Sequence, residues 1–335
     1  MRIAEPRKLA KKEVGTRLIM RRLVSLGLRD TRLEETRSSL QAFRGPAYPE
    51  CMTDLTADAH VHSEWSWDAG SDPAAAGAMD RICERATRIG LPALVFTEHL
   101  DLEDSWRVDA GDIGEYGQRY VDESGHVRLP PFDAEGYLEA IERCRHMHPE
   151  LRILTGLEFG QPHLWDAKAA DLLSSGLIDR VNGSLHMLPF DGQDRTEPTT
   201  LYRYRPAADV MWAYLEEIPR MVAGSDSFAV FTHIDYAARS WPALSAGGFD
   251  PRPFEEGFRS AMRAIADTGR VLEMNTRRLE SWIPQWWSEE GGRAVSFGSD
   301  AHGPETLAAN FPEAMAMVES FGFQPGSSPE DFWTR

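Results

Sequence analysis

The sequence predicts an α/β fold, specifically a (β/α)7 TIM-like barrel. Three observations carry that expectation. From residue 55 onward, seven short β-branched or aromatic runs alternate with longer stretches of helical periodicity, the signature of parallel βα units. Helix-start and helix-stop residues fall in the intervals between them. Residues able to do chemistry recur at the ends of the short runs, where a parallel barrel gathers its functional side chains. A chain of 335 residues is long enough to bury one large core.

Taken in order, residues 1–52 stand apart, with 12 Lys and Arg against 6 Asp and Glu, which leaves a net charge of −23 on the remainder. They read as a basic N-terminal extension, weakly ordered or partly helical around residues 8–26, where Ile19, Leu23 and Leu26 have helical spacing before Gly27. Met52 is an alternative start of translation. Residues 53–335 are expected to form the barrel.

Strands are predicted at 55–60, 93–97, 152–158, 180–185, 229–233, 271–275 and 294–298. Helices are predicted at about 73–89, 134–148, 164–176, 206–223, 252–268, 280–290 and 304–321. Asp72-Pro73 and Asp133 are helix-start signals, and Gly90, Gly176, Gly224 and Gly269 are helix stops. Two connections, 100–132 and 187–205, exceed what the scaffold needs. Both follow a strand, so both read as lids or binding loops over the same end of the barrel.

Composition excludes several classes. A net charge of −17 repels nucleic acid and anionic membranes at long range. No apolar run has the length of a membrane span, and the charged N-terminal segment lacks the apolar centre of a signal peptide. Cys51, Cys83 and Cys144 show no CxxC spacing and are expected to be reduced, which suits the cytoplasm.

The ends of the predicted strands are chemically unusual. Asp58-Ala59-His60-Val61-His62 places two imidazoles on one face of a strand. Thr97-Glu98-His99, Gly156-Leu157-Glu158, Gly183-Ser184-Leu185-His186, Phe231-Thr232-His233 and Gly298-Ser299-Asp300-Ala301-His302 follow at later strand ends. Six of the ten histidines thus lie at strand ends. Any one of them alone reads as an ordinary satisfied histidine, but the set does not. Imidazole with carboxylate suits Zn, Mn or Fe, and the donors outnumber what one ion binds, so two or three divalent ions are expected. A site so charged would attract phosphate although the chain as a whole is acidic.

The runs DAHVH, FTEH, GLEFG, GSLH, THID and GSDAH together resemble the polymerase and histidinol phosphatase (PHP) superfamily, and FTEHLD with GSLH is most similar to its histidinol-phosphatase branch. The resemblance covers about residues 55–303. It implies a distorted barrel of seven βα units with a nine-ligand, three-metal site. By that resemblance His60, His62 and Asp300 hold the first ion, Glu158 bridges the first and second, His186 and His233 complete the second, and Asp68, His99 and His302 hold the third. Asp68 stands where the family has a histidine or an acidic residue; taken alone it is an ordinary turn residue.

The activity so implied is hydrolysis of a small phosphorylated metabolite, with L-histidinol phosphate the best candidate, by attack of a metal-bound hydroxide. His233 and His302 are candidate proton donors. Arg239 is the first candidate for phosphate, followed by Arg277, Arg107, Arg203 and Arg205, because guanidinium matches phosphate in a bidentate way. Each is also readable as a solvated surface charge. Glu273 and Asn275 share a strand face and are candidates to orient a ligating imidazole. Trp65, Trp67 and Trp106 are candidates to wall the pocket.

Asp101, Glu103, Asp104, Asp109 and Asp112 in the first long loop are candidates to receive a substrate amine. Trp282, Trp286, Trp287 and Pro284 read either as an exposed patch or as a cap on the seventh unit. Rival readings are a phosphodiesterase or exonuclease acting on nucleotides, and a non-catalytic metal-dependent regulatory module. Nothing in the sequence sets the oligomeric state.

Overall fold

In the computed structural model, residues 55–69, 78–109, 111–114 and 117–335 are described. The expected extension 1–52 with its helix, the Asp72-Pro73 helix start and Cys51 lie outside the described residues. Seven parallel strands form as predicted: β1 (Asp58–Val61), β2 (Ala93–Leu100), β3 (Arg152–Gly160), β4 (Arg180–Ser184), β7 (Val230–Phe231), β8 (Val271–Asn275) and β9 (Ala294–Gly298). They are hydrogen-bonded in that order, and β10 (Trp333–Thr334) adds to β9 in antiparallel sense. A two-stranded hairpin, β5 (Leu188–Pro189) with β6 (Arg195–Thr196), lies outside the barrel sheet.

The sheet curls and closes through the segment that follows β9. Asp300 N–H donates to His60 O at 2.8 Å and His62 N–H to Ala301 O at 2.8 Å, while Val61 bridges Ala301 in parallel. The buried Asp58 carboxylate secures the seam by accepting from Ser299 N at 2.9 Å, Ser299 Oγ at 2.5 Å and Ala308 N at 2.9 Å. Burial pushes its pKa up to about 6, against the pull of those same hydrogen bonds.

The helices form where apolar spacing matches one face. In α1 (Ala78–Ile89) Met79, Ile82, Cys83 and Ala86 are buried, and the helix stops at Gly90 with φ 74°. α2 (Ala134–Met147) is capped by the Asp133 carboxylate, which accepts from Gly136 N at 3.0 Å. α3 (Pro162–Leu173) and α5 (Ala207–Gly224) fall near their predicted positions. The helix ends at Gly224 as expected, and a Cβ there would meet the Cβ of His163 at 2.9 Å, so close packing also explains the glycine.

The predicted helix 252–268 divides into a 3-10 turn, Arg252–Phe254, and α8 (Glu255–Asp267). The predicted helix 304–321 divides likewise, into a turn at Pro304–Thr306 and α10 (Phe311–Glu319), where Pro312 suits only a first turn. In α9 (Trp282–Glu289) Trp286 and Trp287 are buried, and Trp282 and Trp286 pack on Phe258 of α8, so this aromatic group does not form an exposed patch. Strand β7 is shorter than predicted because His233, at φ 21°, turns the chain out of the sheet.

The two long connections are not irregular. The second holds the β5–β6 hairpin and α4 (Pro198–Tyr204), and the first holds a 3-10 turn at Gly117–Tyr120. They pack on each other through a separate apolar cluster of Trp106, Val108, Ile113, Val127 and Met187. Backbone bonds from Arg107 N to Arg195 O (2.8 Å) and from Arg195 N to Ser105 O (3.0 Å) join them. Two short turn segments, α6 (Tyr236–Arg239) and α7 (Ala243–Ala246), follow β7. Among the described residues no helix is long and apolar enough to cross a membrane, and Cys83 and Cys144 are free and buried.

Asp58→Ala tests the seam. It strands the buried Ser299 N–H and the part-buried Ala308 N–H, and its expected cost in urea unfolding is about 2–4 kcal/mol. A loss below about 0.5 kcal/mol would mean that other contacts close the barrel.

Candidate metal centre

Strand register builds the site. In the parallel β2–β3 pair His99 sits opposite Glu158, and the Asp300–His60 backbone bond brings the β9 end beside β1. The nine candidate ligands therefore converge, although they are spread from residue 60 to residue 302. Glu158 lies at their centre. Its Oε2 is 3.1 Å from His60 Nε2, 3.2 Å from His62 Nε2 and 3.2 Å from His99 Nδ1. Its Oε1 is 2.7 Å from His233 Nε2 and 3.1 Å from His186 Nε2, and also accepts from Ser184 Oγ at 2.6 Å. Asp300 Oδ1 closes the first group at 3.6 Å from His62 Nε2 and 3.9 Å from His60 Nε2.

Outer contacts set the tautomers. His60 Nδ1 lies 2.5 Å from Glu273 Oε1, which turns the Nε2 lone pair inward. His62 Nδ1 donates to Ser66 Oγ at 3.0 Å, and that hydroxyl donates to Glu98 Oε2 at 2.6 Å, turning its Nε2 inward as well. The two Nε2 atoms are then 3.0 Å apart, both facing a carboxylate. Electron pairs at that separation repel unless a proton or a metal cation lies between them.

A third group lies nearer the mouth. Asp68 Oδ2 is 2.8 Å from His302 Nε2 and 3.4 Å from His99 Nε2, while Asp68 Oδ1 and His99 Nδ1 are buried without a hydrogen-bond partner. The rings of His62 and His99, and of His62 and His302, stack at 4.3 Å. Among the described residues four triplets bring donor atoms within 4.8 Å of one another: His62, His99 and His302; His60, Glu158 and His233; His60, His62 and Asp300; and His99, Glu158 and His186. Inward lone pairs and orphaned buried donors made of imidazole and carboxylate fit divalent cations. His99 touches both the Glu158 and the Asp68 groups, so it is not confined to the third.

Electrostatics follow from this crowding. Burial works against a charged ring at His60, but Glu273 and Glu158 outweigh it and hold the pKa well above the usual histidine range. Burial, with His302 and His99 adding to it, pushes His62 down to about 3. Against burial, Asp68 and Glu158 lift His99 to about 10, and Asp68 lifts His302 to about 9. Burial would raise Glu158, but His60, His99 and His186 hold it far below the ordinary carboxylate range.

A second layer of contacts fixes the candidate ligands. Asp101 Oδ1 receives His186 Nδ1 at 3.3 Å and Oδ2 accepts from Trp67 Nε1 at 3.0 Å; a Cβ on Gly160 would collide with this carboxylate. Glu273 Oε2 accepts from His233 N at 2.8 Å, and Asn275 Nδ2 reaches Glu273 Oε2 at 3.3 Å and Asp300 Oδ2 at 3.4 Å. Gln161 Oε1 accepts from His186 N and Met187 N at 2.7 and 3.1 Å. Gln161, His233 and Asp300 all have positive φ, so backbone strain concentrates at the site.

The site opens into a cleft of about 510 Å³ lined by Trp67, Asp112, Glu197, Tyr236, Arg239, Arg277 and Arg278 with the ligands. Arg239 lies at its floor, 3.0 Å from Asp300 Oδ2 and 3.4 Å from Asp235 Oδ1. Arg277 and Arg278 are exposed at its edge. Arg107, Arg203 and Arg205 are not in the lining. Arg107 lies over Phe190 and 3.8 Å from Asp194, Arg203 forks onto Asp112, and Arg205 binds the Phe190 carbonyl. Those lid contacts are not visible in sequence.

Of the tryptophans, Trp67 walls the cleft, Trp106 is buried behind it at 5.3 Å, and Trp65 lines a neighbouring cleft. Glu197, Tyr236 and Arg278 escaped sequence reasoning. They follow no spacing rule, and proximity to THID was the only available signal for Tyr236.

Fold and donor set together define a metal-binding βα barrel. The PHP domain model matches residues 58–277, and the chain belongs to the PHP domain family. A "Probable histidinol-phosphatase" of Clostridium acetobutylicum is 25% identical over 276 residues, covering 80% of this chain and 94% of the relative. One of Thermotoga maritima is 22% identical over 275 residues, covering 80% and 93%. Among solved structures, the histidinol phosphate phosphatase of Lactococcus lactis, complexed with Zn, L-histidinol and phosphate, superposes with a TM-score of 0.61 at 21% identity over 80% of this chain and 94% of that one. A putative histidinol phosphatase of Listeria monocytogenes gives 0.57 at 15% identity over 77% and 99%.

Ligation requires neutral rings, whereas the neighbouring carboxylates lift the pKa of His99 to about 10 and that of His302 to about 9. Metal loading at pH 7 is therefore expected to release protons, and affinity should rise with pH, by about tenfold per unit for each proton released. Calorimetric titration of Zn or Mn in two buffers of different ionisation enthalpy measures this. Equal apparent heats would refute the assignment.

Proposed function

We propose that this chain is a metal-dependent phosphatase that hydrolyses phosphate monoesters of small metabolites, using two or three divalent ions, with L-histidinol phosphate as the favoured substrate. The observation carrying the reading is Glu158, which offers one oxygen to His60, His62 and His99 and the other to His186 and His233, beneath a cleft that also collects arginines. The ligands are His60, His62, Asp68, His99, Glu158, His186, His233, Asp300 and His302. Ions of Zn, Mn or Fe type, when bound, supply Lewis-acid stabilisation of the phosphoryl oxygens and lower the pKa of coordinated water.

The side chains position and neutralise. Arg239 holds Asp300 and adds positive charge at the cleft floor, where a phosphoryl group would approach. Arg277 and Arg278 can fork onto the remaining oxygens from the edge. His233 Nε2 faces Glu158, and His302 is bonded through Nδ1 to the Asp300 carbonyl and through Nε2 to Asp68. Both serve as ligands, and the leaving alkoxide takes its proton from water in the cleft or from one of these two imidazoles. The relatives named above support the metabolite reading over the nucleotide one.

Purified protein loaded with Zn or Mn is expected to hydrolyse L-histidinol phosphate in preference to dinucleotides and nucleoside monophosphates. Glu158→Gln should lower kcat/KM by on the order of a hundredfold or more. Unchanged turnover after exhaustive chelation, or a preference for dinucleotides, would overturn the reading. Arg277→Ala should raise KM about tenfold with kcat largely kept, because the contact is made before as well as during the reaction.

A further inference from the structure

We propose that Arg195 is a positioning residue that latches the lid to the barrel and, through α4, sets the turn carrying Arg239. Its kinetic consequences rest on the phosphatase reading, whereas the latch itself does not. Arg195 belongs to β6, and its mostly buried guanidinium stands between two buried carboxylates from distant parts of the chain. Nε lies 3.6 Å from Glu103 Oε2, in the first long connection, and Nη2 lies 3.5 Å from Glu217 Oε1, on the barrel helix α5. Nη2 also donates to Met187 O at 3.2 Å. Arg195 Nε and Glu103 Oε2 are both buried without a hydrogen-bond partner, so their ion pair is what offsets the burial of the two atoms.

Each carboxylate is fixed from its own side. On the barrel, His163 Nε2 of α3 lies 3.1 Å from Glu217 Oε1, and Arg220 Nη1 donates to Glu217 Oε2 at 2.9 Å. Against burial, His163 and Arg220, with Arg195 adding to them, hold the Glu217 pKa at about 2, so Arg195 meets a charged anchor at neutral pH. On the lid, Glu103 Oε1 accepts from Ser105 N at 3.0 Å and from Ser105 Oγ at 2.6 Å. One cation therefore joins both long connections to α5. A charge deep between two carboxylates is costly to withdraw, because withdrawal leaves each of them buried and unpaired.

The latch reaches the cleft through α4, which begins three residues after Arg195. Thr200 Oγ1 on that helix donates to Asp112 Oδ2 at 2.9 Å and holds Asp112 in the cleft wall. Tyr202 OH donates to Ala237 O at 2.9 Å, and Thr199 Oγ1 lies 2.7 Å from Ser240 Oγ. Ala237 and Ser240 flank Arg239, so α4 rests on the turn that carries the guanidinium of the cleft floor. Arg195 does not line the cleft, and none of the candidate metal ligands is among its partners. Its influence on a bound phosphoryl group runs through the lid.

The test compares Arg195→Met, which keeps an apolar stem and removes the charge, with Arg195→Lys in the metal-loaded full chain. Arg195→Met should raise KM for L-histidinol phosphate and Ki for inorganic phosphate by about tenfold, with kcat changed by less than about threefold. Zn stoichiometry by calorimetry should stay that of the parent, and limited proteolysis should cut the 187–205 connection faster. Arg195→Lys should recover part of each loss, because an ammonium still meets one carboxylate. Removing one partner of a buried pair can also unfold a protein, so Glu103→Gln, which keeps the shape, is the second variant and should shift KM, Ki and proteolysis in the same direction.

Folded variants that match the parent in KM, Ki and proteolysis overturn the latch and leave the phosphatase reading standing. A loss confined to kcat, or one that follows a loss of bound Zn, overturns it too, because Arg195 would then act on the metal ligands rather than on the lid. If Arg195→Met does not fold, Glu103→Gln decides by the same three measurements. If the parent hydrolyses no phosphate ester, the phosphatase reading falls, and equal proteolysis of parent and variants would overturn the latch as well.

Discussion

Five imidazole rings approach the two oxygens of Glu158 at 2.7–3.2 Å, inside a site from which water is largely excluded. Such an arrangement is unfavourable for lone pairs alone and favourable only when positive charge lies among them. The rest of the barrel can be understood as the means of enforcing it. Rings that would otherwise rotate apart are held by Glu273, Ser66 and Asp101, each bonded to the nitrogen that faces away from the centre. Strain at Gln161, His233 and Asp300 is the visible cost of that enforcement.

Closure of the barrel is tied to the same demand. Because the segment after β9, rather than β9 itself, pairs with β1, Asp300 and His302 are delivered beside His60 and His62. A regular ring would leave these groups on separate strand ends. Gly298 belongs to this closure: a Cβ there would meet the Cβ of His60 and the Glu273 carboxylate, so the strand can approach only without a side chain. Above the site, the two long connections form one cap with its own apolar cluster. That cap brings Ile113 and Glu197 to the cleft from segments far apart in the chain.

Much of the fold was legible in the sequence. Short β-branched or aromatic runs and helix-stop glycines marked all seven parallel strands and most of the helices, since burial of one face or both leaves its mark on neighbouring residues. What stayed hidden has physical causes. The ends of β7 and β4 depend on where His233 and Leu185 turn out of the sheet, and the terminal β10 depends on an antiparallel partner distant in sequence. The lid looked irregular because its cluster is assembled from two connections, neither of which has a periodic pattern of its own.

For the site, the sequence by itself determined the donor types. Imidazoles and carboxylates at successive strand ends can converge in only one kind of place in a parallel barrel. Only the tertiary structure decided which arginines reach the cleft, separating Arg239 and Arg277 from Arg107 and Arg203, because a guanidinium on a long side chain is claimed by whichever carboxylate folding brings near. It also decided that Arg195 stands between Glu103 and Glu217. A strand position fixes direction every second residue, and so candidate ligands on strands are readable; a lid residue has no such rule, and its place is set by contacts that exist only after folding.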